Sequence, residues 1–254
     1  MKTRESWRIA RRLLRPAAGA LLALWWLEPK CEAGRTAPAP PANLASSFLW
    51  DSEPHRLEAQ GVDVRPLSGL QPKSFVIVFT PGTHRPGDST IFGVWREAPG
   101  GRAFRCAIDP SGHLEYFQSE DGHALDLHVA TKESLTEDWH TVVVTVDPAQ
   151  SGAEMVKVYF DGNRQALLWL RDTGRRGTHP AGTAGLVLGC HFDASDRPVD
   201  YFRGFVNQFV VTADVVTAAE AIALHAGATP VAAHAVLDHV VSAPHFDAAI
   251  DSAA

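Results

Sequence analysis

The stretch from Asp138 to Arg171 constrains this chain more than any other. It reads D-W-H-T-V-V-V-T-V-D, a polar break, E-M-V-K-V-Y-F, a D-G-N corner and R-Q-A-L-L-W-L. Asp161, Gly162 and Asn163 are residue types that accept positive φ, so the β-forming runs around them predict a hairpin. Within Met155 to Phe160 the side chains alternate, with Val156, Val158 and Phe160 on one face and Met155, Lys157 and Tyr159 on the other. The local architecture is therefore antiparallel β, with Trp139 opening a strand as a core residue.

Further strands follow the same logic. Phe75, Ile77 and Phe79 alternate against Val76 and Val78, and Thr90 to Trp95 forms the next run. Ala103 to Ile108 and His113 to Gln118 flank a D-P-S-G turn whose Pro110 and Gly112 suit its positions. His123 to Thr131, Ala184 to Cys190 and Tyr201 to Thr212 complete the series, with Phe48 to Trp50 and His55 to Ala59 as weaker edge candidates. Strands at this spacing, punctuated by Gly and Pro, predict an all-β, two-sheet antiparallel jelly-roll sandwich. Thr217 and Glu220 form a capping box, so a short helix to about Ala226 should close the domain.

The ends have a different character. Lys2, Arg4, Arg8, Arg11, Arg12 and Arg15 precede an apolar run from Ala17 to Leu27 and a small-residue site ending at Ala33, the pattern of a secretory signal over residues 1–33. That run falls short of the ~20 apolar residues a spanning helix needs, so the membrane enters only through export. Residues 34–43 read as a Pro/Ala linker. Residues 227–254 form an Ala/Val/His-rich tail in which His234 to Val241 could make two helical turns. A secreted, periplasmic or cell-envelope location follows. The 254 residues carry a net charge of −6, concentrated beyond the basic leader, which argues against a nucleic-acid partner.

Cleavage after Ala33 removes Cys31 and leaves Cys106 and Cys190, each sharing a strand face with apolar neighbours. A disulfide and two separately buried thiols both fit that pattern. Asp193, Asp196 and Asp200 fall within one loop and supply the hard oxygen ligands calcium requires; a solvated acidic turn is the alternative. Trp95, Tyr116, Tyr159, Trp169 and Tyr201 lie on or beside strands, where each could serve as a flat platform for sugar rings or as core.

The order D-W-H-T-V-V-V-T-V-D, V-K-V-Y-F-D-G-N-R, T-A-G-L-V-L-G, Y-F-R-G-F-V-N-Q-F-V-V and T-A-A-E-A-I-A-L-H resembles the laminin-G-like domains of the concanavalin A-like lectin/glucanase superfamily, over residues 44–226. The resemblance implies two curved sheets face to face, a glycan or an extracellular or envelope protein as partner, and in many members a calcium ion. It departs at Asn207 and Gln208, where the family commonly carries acidic residues. Glycanases of that superfamily set Glu, Asp and Glu on alternate residues of one strand, and this chain has no such run. The expectation is a non-catalytic recognition module, most directly for carbohydrate. A protein-interaction or structural envelope domain, and a polysaccharide-active hydrolase or lyase, are the alternatives.

Overall fold

The structure is a computed structural model that describes residues 48–50, 55–59, 64–82, 87–180, 185–226, 240–241 and 246–250. The expected signal over 1–33, the linker over 34–43 and most of the tail lie outside the described residues.

Two antiparallel sheets face each other. The first is built from β1 (Phe48–Trp50), β3 (Lys73–Pro81), β8 (His140–Val146), β9 (Val156–Phe160), β10 (Asn163–Arg164) and β15 (Gly204–Thr212), in the order β1-β15-β3-β8-β9-β10, with β16 (Val240–Val241) also on β15. The second contains β2 (His55–Ala59), β4 (Ser89–Trp95), β5 (Arg102–Ile108), β6 (His113–Gln118), β7 (Leu127–Ser134), β11 (Leu167–Asp172), β12 (Val187–Leu188) and β17 (Phe246–Ile250). Its order is β11-β7-β6-β5-β4-β12-β2-β17. A small ribbon, β13 (His191–Phe192) with β14 (Pro198–Val199), stands apart.

The predicted alternation decides what lies between the sheets. Phe75, Ile77 and Phe79 point inward from β3 and meet Phe92, Phe104 and Tyr116 of the second sheet, with the Phe75 ring 4.7 Å from Phe92 and 4.9 Å from Phe104. Val156, Val158 and Phe160 join that core as expected. Met155 joins it too, because it closes the 3-10 turn Gly152–Glu154 instead of continuing the strand's alternation. Trp139 departs from expectation: it is half-buried and packs against Phe205 at 6.4 Å, outside the core cluster.

At the D-G corner Asp161 has φ 52° and Gly162 φ 80°, the positive pair a tight hairpin turn requires. The returning strand then divides. Gln165 N donates to Val158 O at 2.8 Å, the last hold on the first sheet, and Ala166 O accepts from Lys132 N at 2.9 Å, the first on the second. The run R-Q-A-L-L-W-L thus crosses between sheets, and Leu167 and Trp169 pack on the core from the second.

The two outer faces receive opposite treatment. Helix α1 (Ala218–His225) carries the capping box as read: Glu220 N donates to Thr217 Oγ1 and Thr217 N to Glu220 Oε2. Its Ala221 and Leu224 lie on Val76, Val143, Tyr159 and Val210, sealing the outer face of the first sheet with apolar contact. On the second sheet the outward positions include Arg105, Glu115, Phe117 and His128. At the other end of the chain, the last two residues of the run expected as helix, Val240–Val241, are strand on β15, and β17 pairs with the edge of β2.

Candidate functional site

The site is assembled on that second face. Register places Arg105 of β5 between Gly93 of β4 and Phe117 of β6, all pointing away from the core. Gly93 is there because the backbones approach closely: a Cβ would lie 2.9 Å from the Phe104 carbonyl oxygen. The Arg105 guanidinium sits 4.3 Å over the Phe117 ring and 5.8 Å from Trp95, so its cation is packed on aromatic surface.

Its polar surroundings come from distant parts of the chain. Arg105 Nη1 lies 3.1 Å from His191 Nδ1, and His191 Nδ1 lies 3.0 Å from Thr90 Oγ1. Asp88 and Asp200 stand 3.7 and 3.6 Å from the guanidinium, beyond hydrogen-bond reach. Arg105 Nε is buried and finds no hydrogen-bond partner among the described residues. The Arg105 side chain is 9% exposed, whereas those of Asp88 and Asp200 are 37% and 39% exposed. A buried cation therefore sits inside a wetter ring of carboxylates without being saturated by them.

The electrostatics agree with that geometry. Burial, followed by the neighbouring Arg105 charge, lowers the His191 pKa to about 4, so the ring is neutral at pH 7. Burial raises Asp88 and Asp200 above the ordinary carboxylate range, and Arg105 only partly offsets it. Burial would raise Glu97 as well, but hydrogen bonds from Trp95 Nε1 at 2.8 Å and from Arg102 outweigh it and lower its pKa. Beyond Phe117, the His128 ring stacks on its other side at 4.2 Å, with His128 Nε2 2.9 Å from Glu115 Oε1.

The residues singled out from sequence are scattered by the fold. Trp95 belongs to this outer cluster, 6% exposed and packed with Ala107 and Phe117. Tyr201 is half-buried where its segment bridges Thr90 at the margin of the site. Tyr116 is 1% exposed in the core, its hydroxyl donating to Gln118 Oε1, and Tyr159 is 3% exposed beneath α1. Trp169 lies at the far edge, lining a cavity of about 310 Å³ with Val156 and Leu167. The five aromatics do not converge on one platform.

The three aspartates separate in the same way, each facing a different arginine. Asp193 pairs with Arg197 at 2.8 Å, Asp196 with Arg96 at 2.9 Å, and Asp200 faces Arg105. Asp193 Oδ1 also accepts from the Ser195 and Arg197 amides, closing the turn. Calcium needs six to eight convergent oxygens, and among the described residues no three His, Cys, Asp or Glu groups gather as a metal site. The donor set does not fit the ion. Accordingly, millimolar calcium and excess chelator are expected to leave the melting temperature the same, as read by scanning calorimetry; a calcium-dependent rise of several degrees would show that the loop rearranges into a site. Cys106 and Cys190 are both buried and no disulfide joins them, with burial pushing the Cys106 thiol pKa well up.

Arg105, His191, Asp88 and Glu97 were not among the residues picked out by sequence. One signal was present: an arginine at an outward position in the otherwise apolar run A-F-R-C-A-I.

Fold and site together define an antiparallel two-sheet β-sandwich of jelly-roll type, with one outer face sealed by α1 and one polar outer face. Among solved structures, the chain is similar to the CBM40 of the Ruminococcus gnavus IT-sialidase bound to α2,3-sialyllactose, with TM-score 0.55 and 16% identity over 71% of this chain and 97% of that one. The same module bound to α2,6-sialyllactose gives TM-score 0.54 at 16% identity over 71% and 97%. A leech intramolecular trans-sialidase gives TM-score 0.54 and 14% identity over 73% of this chain, which spans 28% of that enzyme. At these identities the likeness is one of fold. No protein-family model and no curated protein matches the sequence.

Proposed function

We propose that this protein is a non-catalytic carbohydrate-binding module, and that it binds a sialylated or similarly acidic glycan on the outer face of the second sheet. The observation that carries the reading is the buried Arg105 guanidinium: among the described residues its Nε has no hydrogen-bond partner, and Asp200 and Asp88 stand at 3.6 and 3.7 Å. A ligand carboxylate could take the fork bidentately, the geometry arginine favours. Asp88, Asp200 and Glu97 around it would accept hydroxyl groups of the sugar. Support comes from the shared fold with a module solved with sialyllactose, and from the export signal expected over residues 1–33, which would carry the protein to where such glycans are met.

Calorimetric titration of 3′-sialyllactose, 6′-sialyllactose and lactose into the wild type and R105M tests this. The sialylated sugars should bind at least about tenfold more tightly than lactose, and R105M should lose about tenfold or more of that affinity, the loss of one charged hydrogen bond. Equal binding of lactose would remove the carboxylate from the account. Silence of the folded protein across a broad glycan array would make a protein partner the leading reading.

A further inference from the structure

The outer face of the second sheet continues past Arg105 to the sheet's edge. Cross-strand register aligns Arg105, Phe117, His128 and Arg171 in one row. The row beside it holds Ala107, Glu115, Ala130 and Leu168. The first is charged and aromatic, while in the second Ala107 and Ala130 are buried between larger neighbours. From β5 to β11 there are three strand spacings, about 14 Å, which is the reach of a trisaccharide.

At the far end of the two rows Leu168 and Leu170 are 45% and 54% exposed. Both belong to β11, the edge strand, and the register shift between Trp169 and Arg171 inserts Leu170 as an extra residue. Such bulges re-aim side chains at sheet edges and beside sites. Two large apolar residues exposed together on an edge strand invite association unless a ligand covers them. Their continuity with the charged row favours a ligand that is polar at one end and presents C–H surface at the other.

We infer that the strip takes an oligosaccharide, not a single sugar: the acidic residue sits at Arg105, the chain passes the partly exposed His128, and the third residue rests its apolar face on Leu168 and Leu170. This rests on the reading of Arg105 as a glycan site. The Glu115 and His128 pair supplies an acceptor and a donor for hydroxyl groups midway.

The test compares 3′-sialyllactose with the methyl glycoside of sialic acid, titrated into the wild type, R105M and L168S/L170S, with melting curves confirming that each variant is folded. The wild type should prefer the trisaccharide by about tenfold, L168S/L170S should lose that preference, and R105M should weaken both ligands. Equal affinity of the wild type for both ligands, or an undiminished preference in L168S/L170S, overturns the inference and leaves the Arg105 reading standing. Failure of the wild type to bind either ligand overturns both.

Discussion

Replacing Lys73 by methionine is expected to stabilise the protein at pH 7 by on the order of 2–4 kcal/mol, raising its melting temperature by roughly 5–15 °C. Lys73 begins β3 on the same face as Phe75, is 0% exposed, and among the described residues makes one side-chain hydrogen bond, Nζ to Gln71 O at 3.1 Å. Burial lowers its pKa from 10.5 to about 7. Because the unfolded chain then holds the proton more tightly than the native protein, the charge opposes folding. That cost is full below about pH 7 and disappears as pH rises toward 10.5, so the wild type should gain stability across this window. Methionine fills a similar volume without a charge. Urea melts of K73M and the wild type at pH 7 and pH 10 would show a gap that closes with pH; a K73M protein less stable at both values would mean that the ammonium has partners that outweigh its desolvation.

Phe75→Ala should cost about 3–5 kcal/mol, the range for emptying an aromatic site in a packed core. Phe75 is 0% exposed and its ring contacts Phe92, Phe104 and Tyr116, so one side chain of the first sheet touches three strands of the second. Removing it opens a cavity where the sheets meet, and the rigid strands around it can collapse only partly. The midpoint of urea denaturation should fall with little change in slope, while Phe75→Leu should lose less. A cost below about 1 kcal/mol for the alanine variant would show that the interior relaxes around the gap.

Both residues illustrate how unequally the chain advertises its structure. The alternation that sends Phe75 inward is visible in K-S-F-V-I-V-F, since period two alone assigns the face. The same alternation assigns Lys73 inward, yet a lysine at a strand end ordinarily reaches solvent. Its burial depends on what the second sheet and the neighbouring loops place over it. The divided strand after Gly162 was hidden for a related reason: R-Q-A-L-L-W-L has the propensity to pair with β9 or with β7, and the burial of Leu167 and Trp169 decides between them. Asp193, Asp196 and Asp200 looked like a group because they are near in sequence, but at a loop each side chain turns to the arginine nearest in space.

By itself the sequence determined the main strands, the D-G corner, the capped helix and the all-β sandwich, because strand period, turn residues and caps act over a few neighbouring positions. It also placed Arg105 outward. Only the tertiary structure brought Arg105 of β5 together with Thr90, Asp88, Glu97, His191 and Asp200, residues up to about a hundred positions away. Tertiary structure also decided that α1 seals one sheet while the other keeps its polar face, since which face is covered depends on where a distant segment finds an apolar surface to bury.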